Sequence, residues 1–168
     1  MKSMNKKIPK NIIIDVDGVL STGQFFYNQD GKVFKIFGRH DNDGLKIVKN
    51  FFSILFITAD IKGFKISKKR IVDDMGFKLR LISESKRYEY IKNKYGLDNT
   101  IYIGDGIYDS ILLKKCKIGL CPADARIEAK KNSNKVLKSR AGEGAILDAS
   151  LLIMKKFYKK ELDKIFKI

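Results

Sequence analysis

Thiol and imidazole chemistry has little to work with in this chain: its 168 residues include two cysteines, Cys116 and Cys121, and one histidine, His40. The cysteines are separated by four residues with no histidine beside them, which excludes a zinc knuckle and a CxxC redox pair and predicts buried, reduced thiols. Long apolar runs are also missing. Nothing approaches the roughly 18 residues of a membrane span, and the N-terminal MKSMNKKIPKNIII meets Asp15 before a signal-peptide core can form. The expectation is a cytoplasmic protein with no membrane partner. Acids are the minority charge, 19 Asp+Glu against 35 Lys+Arg, for a net +16. That excess suggests a polyanionic partner. However, only 6 of the basic residues are arginine, the side chain that base and phosphate recognition favours, and the lysines are scattered along the chain. No nucleic-acid partner is therefore expected, and a small anionic ligand fits the charge as well.

What the chain does contain is an alternation. Short β-rich apolar runs (Asn11 to Val16, Ile54 to Thr58, Leu79 to Ser83, Thr100 to Gly104, Ile118 to Cys121, Lys135 to Leu137) alternate with stretches of helical period. Helices are predicted at Asn42 to Phe51, Phe64 to Met75, Ser85 to Tyr95, Tyr108 to Lys115, Ala125 to Lys131 and Gly144 to Phe166. This pattern predicts an α/β fold with a mostly parallel sheet and helices on both faces. In the last helix, Leu147, Leu151, Met154, Tyr158, Leu162 and Ile165 form a stripe expected to pack on the sheet. With 44% hydrophobic residues and no repeat, low-complexity tract or linker, the chain reads as one domain over 1–168. One segment interrupts the alternation: residues 24–38, GQFFYNQDGKVFKIFG with its flank, read as a β-hairpin around Asp30-Gly31. Both of its faces carry bulk, so it is expected to pack against another subunit.

Open parallel sheets bind ligands beyond the carboxyl ends of their strands, and the acids collect there. The first run ends in Asp15-Val16-Asp17-Gly18, the second in Thr58-Ala59-Asp60, and the fourth in Gly104-Asp105-Gly106-Ile107-Tyr108-Asp109; Lys86 follows the third. Carboxylates gathered at one sheet edge repel one another unless a hard, oxygen-preferring cation such as Mg²⁺ bridges them. The turn at Gly18 lets Asp15 and Asp17 face the same crevice, so that one can attack phosphorus while the other handles a proton. A metal, the Thr58 hydroxyl, the Lys86 ammonium and loop amides would stabilise the charge on a transferring phosphoryl group.

DVDGVLS at 15–21, Thr58, Lys86 and GDGIYD at 104–109 follow the order and spacing of the haloacid dehalogenase (HAD) superfamily of phosphohydrolases, which the chain resembles. The hairpin after the first motif, the direct return into HDNDGLKIV without a cap domain, and the later CPADA and GEGAI segments look more narrowly like the 3-deoxy-D-manno-octulosonate 8-phosphate phosphatases and related sugar-acid phosphatases. The likeness covers about Asn11 to Ala149. It implies a capless Rossmann-like HAD fold, Mg²⁺ as cofactor, and a phosphomonoester hydrolase of lipopolysaccharide biosynthesis that works through a phosphoaspartyl intermediate. It further implies Asp15 as nucleophile and Asp17 as acid and base, with Thr58 and Lys86 on the phosphoryl oxygens. The metal set would be Asp15, Asp17, Asp105 and Asp109, with the Val16 carbonyl. A homotetramer built through the hairpins is also implied.

The pattern departs from the family around the substrate. Relatives follow the motif Thr with Gly-Arg, where this chain has Ala59-Asp60; before the first helix they have Arg-Asp-Gly, where only Asp43 and Gly44 match and Arg39 lies nearby. Thr58, Ala59, Asp60, Asp43, Gly44, Lys86, Arg39 and Arg140 are the candidate substrate contacts. A neuraminate-type nonulosonate 9-phosphate or another small phosphate ester is thus an alternative substrate. A phosphorylation-dependent receiver and a basic nucleic-acid-binding protein are the readings outside hydrolase chemistry.

Overall fold

The computed structural model describes residues 8–166. Six strands, β1 (Asn11–Asp15), β4 (Ser53–Thr58), β5 (Lys78–Leu81), β6 (Thr100–Ile103), β7 (Ile118–Cys121) and β8 (Lys135–Val136), form one sheet in the order β5-β4-β1-β6-β7-β8. Every pairing in it is parallel. A parallel sheet must be covered on both faces, and the alternation along β1 shows how. Ile12 and Ile14 join one apolar cluster with Leu45, Val48, Ile71 and Ile153, while Ile13 points the other way, into a cluster with Ile91, Leu112, Leu113 and Ala129. The first cluster is closed by α1 (His40–Val48) and α6 (Ala145–Phe157), the second by α3 (Glu84–Tyr95), α4 (Ser110–Lys115) and α5 (Ile127–Asn132). Cys116 and Cys121 are free and buried, and burial pushes the Cys116 thiol up to about 12. No helix among the described residues is long and apolar enough to cross a membrane.

Several elements differ from the sequence-based expectation. The helix after β4 starts as α2 (Phe64–Lys68) and widens into a π-helical turn over Lys69–Asp74 before Gly76. The C-terminal helix is two helices, α6 and α7 (Lys159–Ile165), because Tyr158 leaves helical geometry at φ −137 and ψ 43. The buried side of α6 is accordingly Ala145, Ile146, Ala149, Ile153 and Met154, while Leu147 and Leu151 are only half-buried. Those alanines permit a close crossing with α1, where a Cβ on Gly44 would lie 2.6 Å from the Leu147 Cα. The buried Asp41 carboxylate caps the same junction, accepting from Ile146 N–H at 2.8 Å and Gly144 N–H at 3.3 Å.

The insertion after β1 is a hairpin of β2 (Ser21–Asn28) and β3 (Gly31–Phe37), a separate two-stranded antiparallel sheet. Phe25 pairs with Lys35 and Phe26 with Phe34, so strand alternation divides its side chains. Phe25 and Lys35 face the carboxyl end of the main sheet; Phe26, Phe34 and Ile36 lie on the other side and are exposed.

Candidate active site

β1 lies at the switch point of the sheet, with β4 reached on one side and β6 on the other. A cavity of about 350 Å³ opens at their carboxyl ends. Asp15, Asp17, Thr58, Ala59, Asp60, Asp105 and Asp109 line it, together with Phe25, Lys32, Glu84, Arg87, Gly106 and Tyr108.

The chain can turn directly after β1 because Gly18 adopts φ +87, and a Cβ there would lie 2.2 Å from an Asp105 carboxylate oxygen. The Val16 carbonyl folds into this turn, accepting the N–H of Leu20 at 3.0 Å and of Ser21 at 2.9 Å. These bonds tie the Val16 carbonyl to the turn itself.

Asp15 is buried, and its Oδ1 accepts the Val16 N–H at 2.9 Å and Arg87 Nη2 at 3.1 Å. Both bonds fall on one oxygen, which leaves Oδ2 for chemistry. Burial, with the Asp109 and Asp105 charges adding to it, raises the Asp15 carboxyl well above its ordinary range against the opposing pull of Arg87. Asp109 is fully engaged. Its Oδ1 accepts from Arg87 Nη1 at 3.0 Å and from the buried Tyr102 hydroxyl, and its Oδ2 accepts the N–H groups of Asp105 at 3.1 Å and Gly106 at 2.9 Å. Asp105 is raised to about 7, by burial first and the Asp109 charge second.

Asp15, Asp105 and Asp109 each present a carboxylate oxygen within 4.8 Å of the others. Three acids crowded at such a distance, two of them pushed towards protonation, form an all-oxygen set suited to a hard divalent cation. The Asp17 carboxylate stands outside this cluster. Lys35 claims its carboxylate, with Nζ at 2.8 Å from Oδ1, and the hydroxyls of Thr58 and Ser21 each donate to it at 3.2 Å.

Lys86 departs from expectation. It is exposed and lines a different surface cavity with Glu89 and Tyr90, while the next residue, Arg87, is buried and enters the site. The cause is helical phase. Arg87 and Ile91 are four residues apart on the sheet-facing side of α3, and Lys86 lies about 100° away. The spacing from Ile91 was the available signal for Arg87. Lys32, Lys35 and Phe25 carried none, since only the folding of the hairpin onto the main sheet brings them to the cavity. Asp43 forms an exposed pair with Lys46, Gly44 packs against α6, and Arg140 pairs with Asp124 at the surface. Arg39 is exposed beside α1. None of these four lines the cavity, whereas Thr58, Ala59 and Asp60 do.

No family model matches the sequence. The chain is 31% identical over 150 residues to the 3-deoxy-D-manno-octulosonate 8-phosphate phosphatase KdsC of Haemophilus influenzae, covering 86% of this chain and 82% of that protein. It is 26% identical over 156 residues to the protein of the same name from Escherichia coli K12, covering 85% and 78%. The solved structure of the cobalt-bound Haemophilus influenzae phosphatase superposes with a TM-score of 0.77 at 27% identity, over 95% of this chain and 94% of that one. The Moraxella catarrhalis phosphatase, solved with magnesium, phosphate and KDO, shares the fold with a TM-score of 0.80 at 23% identity, over 97% and 99%.

Proposed function

Because the chain belongs to the KdsC family of phosphatases, within the HAD superfamily, we propose that it hydrolyses a sugar-acid phosphate, 3-deoxy-D-manno-octulosonate 8-phosphate first among the candidates, with Mg²⁺ as cofactor. It acts as a single cytoplasmic hydrolase domain that supplies an acidic sugar to lipopolysaccharide synthesis. The observation that carries this reading is the separation of two acids at the end of β1: Asp15 held on one oxygen by Arg87, and Asp17 held by Lys35, Thr58 and Ser21.

Asp15 Oδ2 attacks phosphorus, and the bond to the leaving sugar oxygen breaks as the phosphoaspartyl bond forms. Asp17 gives its proton to that oxygen and then takes one from the water that hydrolyses the acyl phosphate. Arg87 offers donors to the phosphoryl oxygens, and the Thr58 hydroxyl, which donates to Asp17 in this structure, would turn its single proton to them when the substrate binds. Arg87 takes the role expected of Lys86 and adds a forked geometry that suits phosphate. Asp15 and Asp105 would hold the metal, with Asp109 orienting them through the amides of Asp105 and Gly106. When bound, the cation would neutralise the acid cluster and the charge on the transferring group.

The Ala59-Asp60 pair, standing where the family has Gly-Arg, keeps a nonulosonate 9-phosphate as the second substrate reading. A phosphate-release assay with Mg²⁺ over octulosonate, nonulosonate, hexose and nucleotide monophosphates separates these readings. Turnover of a sugar-acid phosphate is expected, and its loss on Asp15→Asn with the fold intact. Brisk turnover confined to another class would remove the substrate assignment, and an active D15N would remove the nucleophile.

A further inference from the structure

Lys35 is a lysine with no exposed side-chain surface, and its ammonium is shared among three elements that are distant in sequence. Nζ lies 2.8 Å from Asp17 Oδ1 and 2.9 Å from Oδ2, 2.8 Å from Asp60 Oδ2, and 2.9 Å from the Ser67 hydroxyl on α2. An ammonium has three protons, and here three groups accept them. Burying the charge is tolerable only with such partners. Asp60 serves a second lysine, Lys32, as well. Burial alone would raise its carboxyl, but hydrogen bonds from Lys32 and Lys35 and from the Gly63 N–H outweigh it and bring it to about 2. Asp60 therefore stays anionic, and it binds both hairpin lysines while Lys32 lies 3.5 Å over the Phe25 ring. The anion after Thr58 thus has a specific use in this chain: it fastens the hairpin over the cavity.

We propose that Lys35 is a positioning residue for the hydrolysis, acting through Asp17, with Asp60 as the anion that anchors it; this rests on the phosphatase reading above. A carboxylate on a turn rotates freely unless it is held. Lys35, which reaches both oxygens, and the Ser21 hydroxyl hold Asp17 from two directions and so fix the line along which its carboxyl group meets the leaving oxygen. Proper orientation of a general acid matters only where the leaving group needs a proton.

The test compares two esters on the full-length protein with Mg²⁺: an alkyl phosphate, octulosonate 8-phosphate or whichever sugar-acid phosphate the wild type hydrolyses, and p-nitrophenyl phosphate, whose leaving group departs unprotonated. kcat/KM covers the steps through leaving-group departure. Lys35→Met should lower it for the alkyl ester by on the order of tenfold or more, and for the aryl ester by less than about threefold. Lost attraction for the phosphate dianion lowers both equally and cancels in the ratio. Ser67→Ala loosens the ammonium without removing its charge, and should shift the ratio in the same direction by about two- to fivefold. It carries the test if K35M does not fold. Equal losses on both esters, or no loss, would overturn the role of Lys35 alone. A wild-type protein that releases phosphate from neither ester would overturn the phosphatase reading and this inference with it.

Discussion

A buried guanidinium needs fixed acceptors, and Arg87 finds two carboxylates, Asp15 at 3.1 Å and Asp109 at 3.0 Å. Burial would favour its neutral form, but the Asp15 charge and its neighbours outweigh that and raise its pKa still further. Arg87 therefore stays charged while it bridges the attacking acid and the acid that orients Asp105. Arg87→Met should lower kcat/KM by on the order of 10²-fold or more, since a preorganised donor to the phosphoryl group is lost and two buried acids lose their counter-charge. Lys86→Ala, on the solvent side of α3, should stay within about twofold. Steady-state kinetics of the two variants decides between neighbouring cations, and a larger loss in K86A would restore Lys86 to the site. At this scale the acids were legible in the sequence and the cation was not. A strand end fixes where Asp15 and Asp105 must point, whereas a helix start that shifts by one residue rotates the choice from Lys86 to Arg87. Near the start of α1 the structure buries Asp41, whereas Asp43, matched from the family pattern, pairs with Lys46 at the surface.

Among the elements, the sheet was readable because each central strand is buried on both faces and its sequence is a continuous apolar run. The break at Tyr158 was not, since its apolar ring fits the stripe of an unbroken helix and packs at 4.7 Å from Phe51 after the break. The hairpin was recognised as two-faced, yet its inner face turned out to be ionic, with Lys32 and Lys35 reaching Asp60. Its outer face keeps the expected apolar character: Phe26 is 54% exposed, Phe34 63% and Ile36 37%. Directly opposed rings on a free two-stranded sheet are the kind of surface that self-association covers. The homotetramer proposed from the family resemblance would bury this face. Phe26→Ser with Phe34→Ser should then give the subunit mass in sedimentation analysis, with the wild type at a multiple of it. A wild type that sediments as a monomer would remove the assembly.

For the whole molecule, +16 is the background against which a few acids are placed. The lysines raise the local concentration of an anionic ester, but the folded state gathers its minority charge at one sheet edge, and that carries a cost that depends on pH. Asp105 titrates at about 7 in the fold, against an ordinary aspartate value near 4 in the unfolded chain. Burial and mutual repulsion raise Asp15 as well, and burial raises Asp41. Between about pH 4 and 7 the folded protein thus holds protons that the unfolded chain has released, so stability falls as pH rises through this window. For Asp105 the full loss is on the order of 2–4 kcal/mol. A divalent cation on Asp15 and Asp105 binds the deprotonated acids, and so stabilises the fold more at pH 8 than at pH 5. Thermal unfolding with EDTA should show Tm falling from pH 5 to pH 8. Excess Mg²⁺ should raise Tm little at pH 5 and several degrees at pH 8. A Mg²⁺ increment independent of pH would mean that the acids are not the groups that receive the metal.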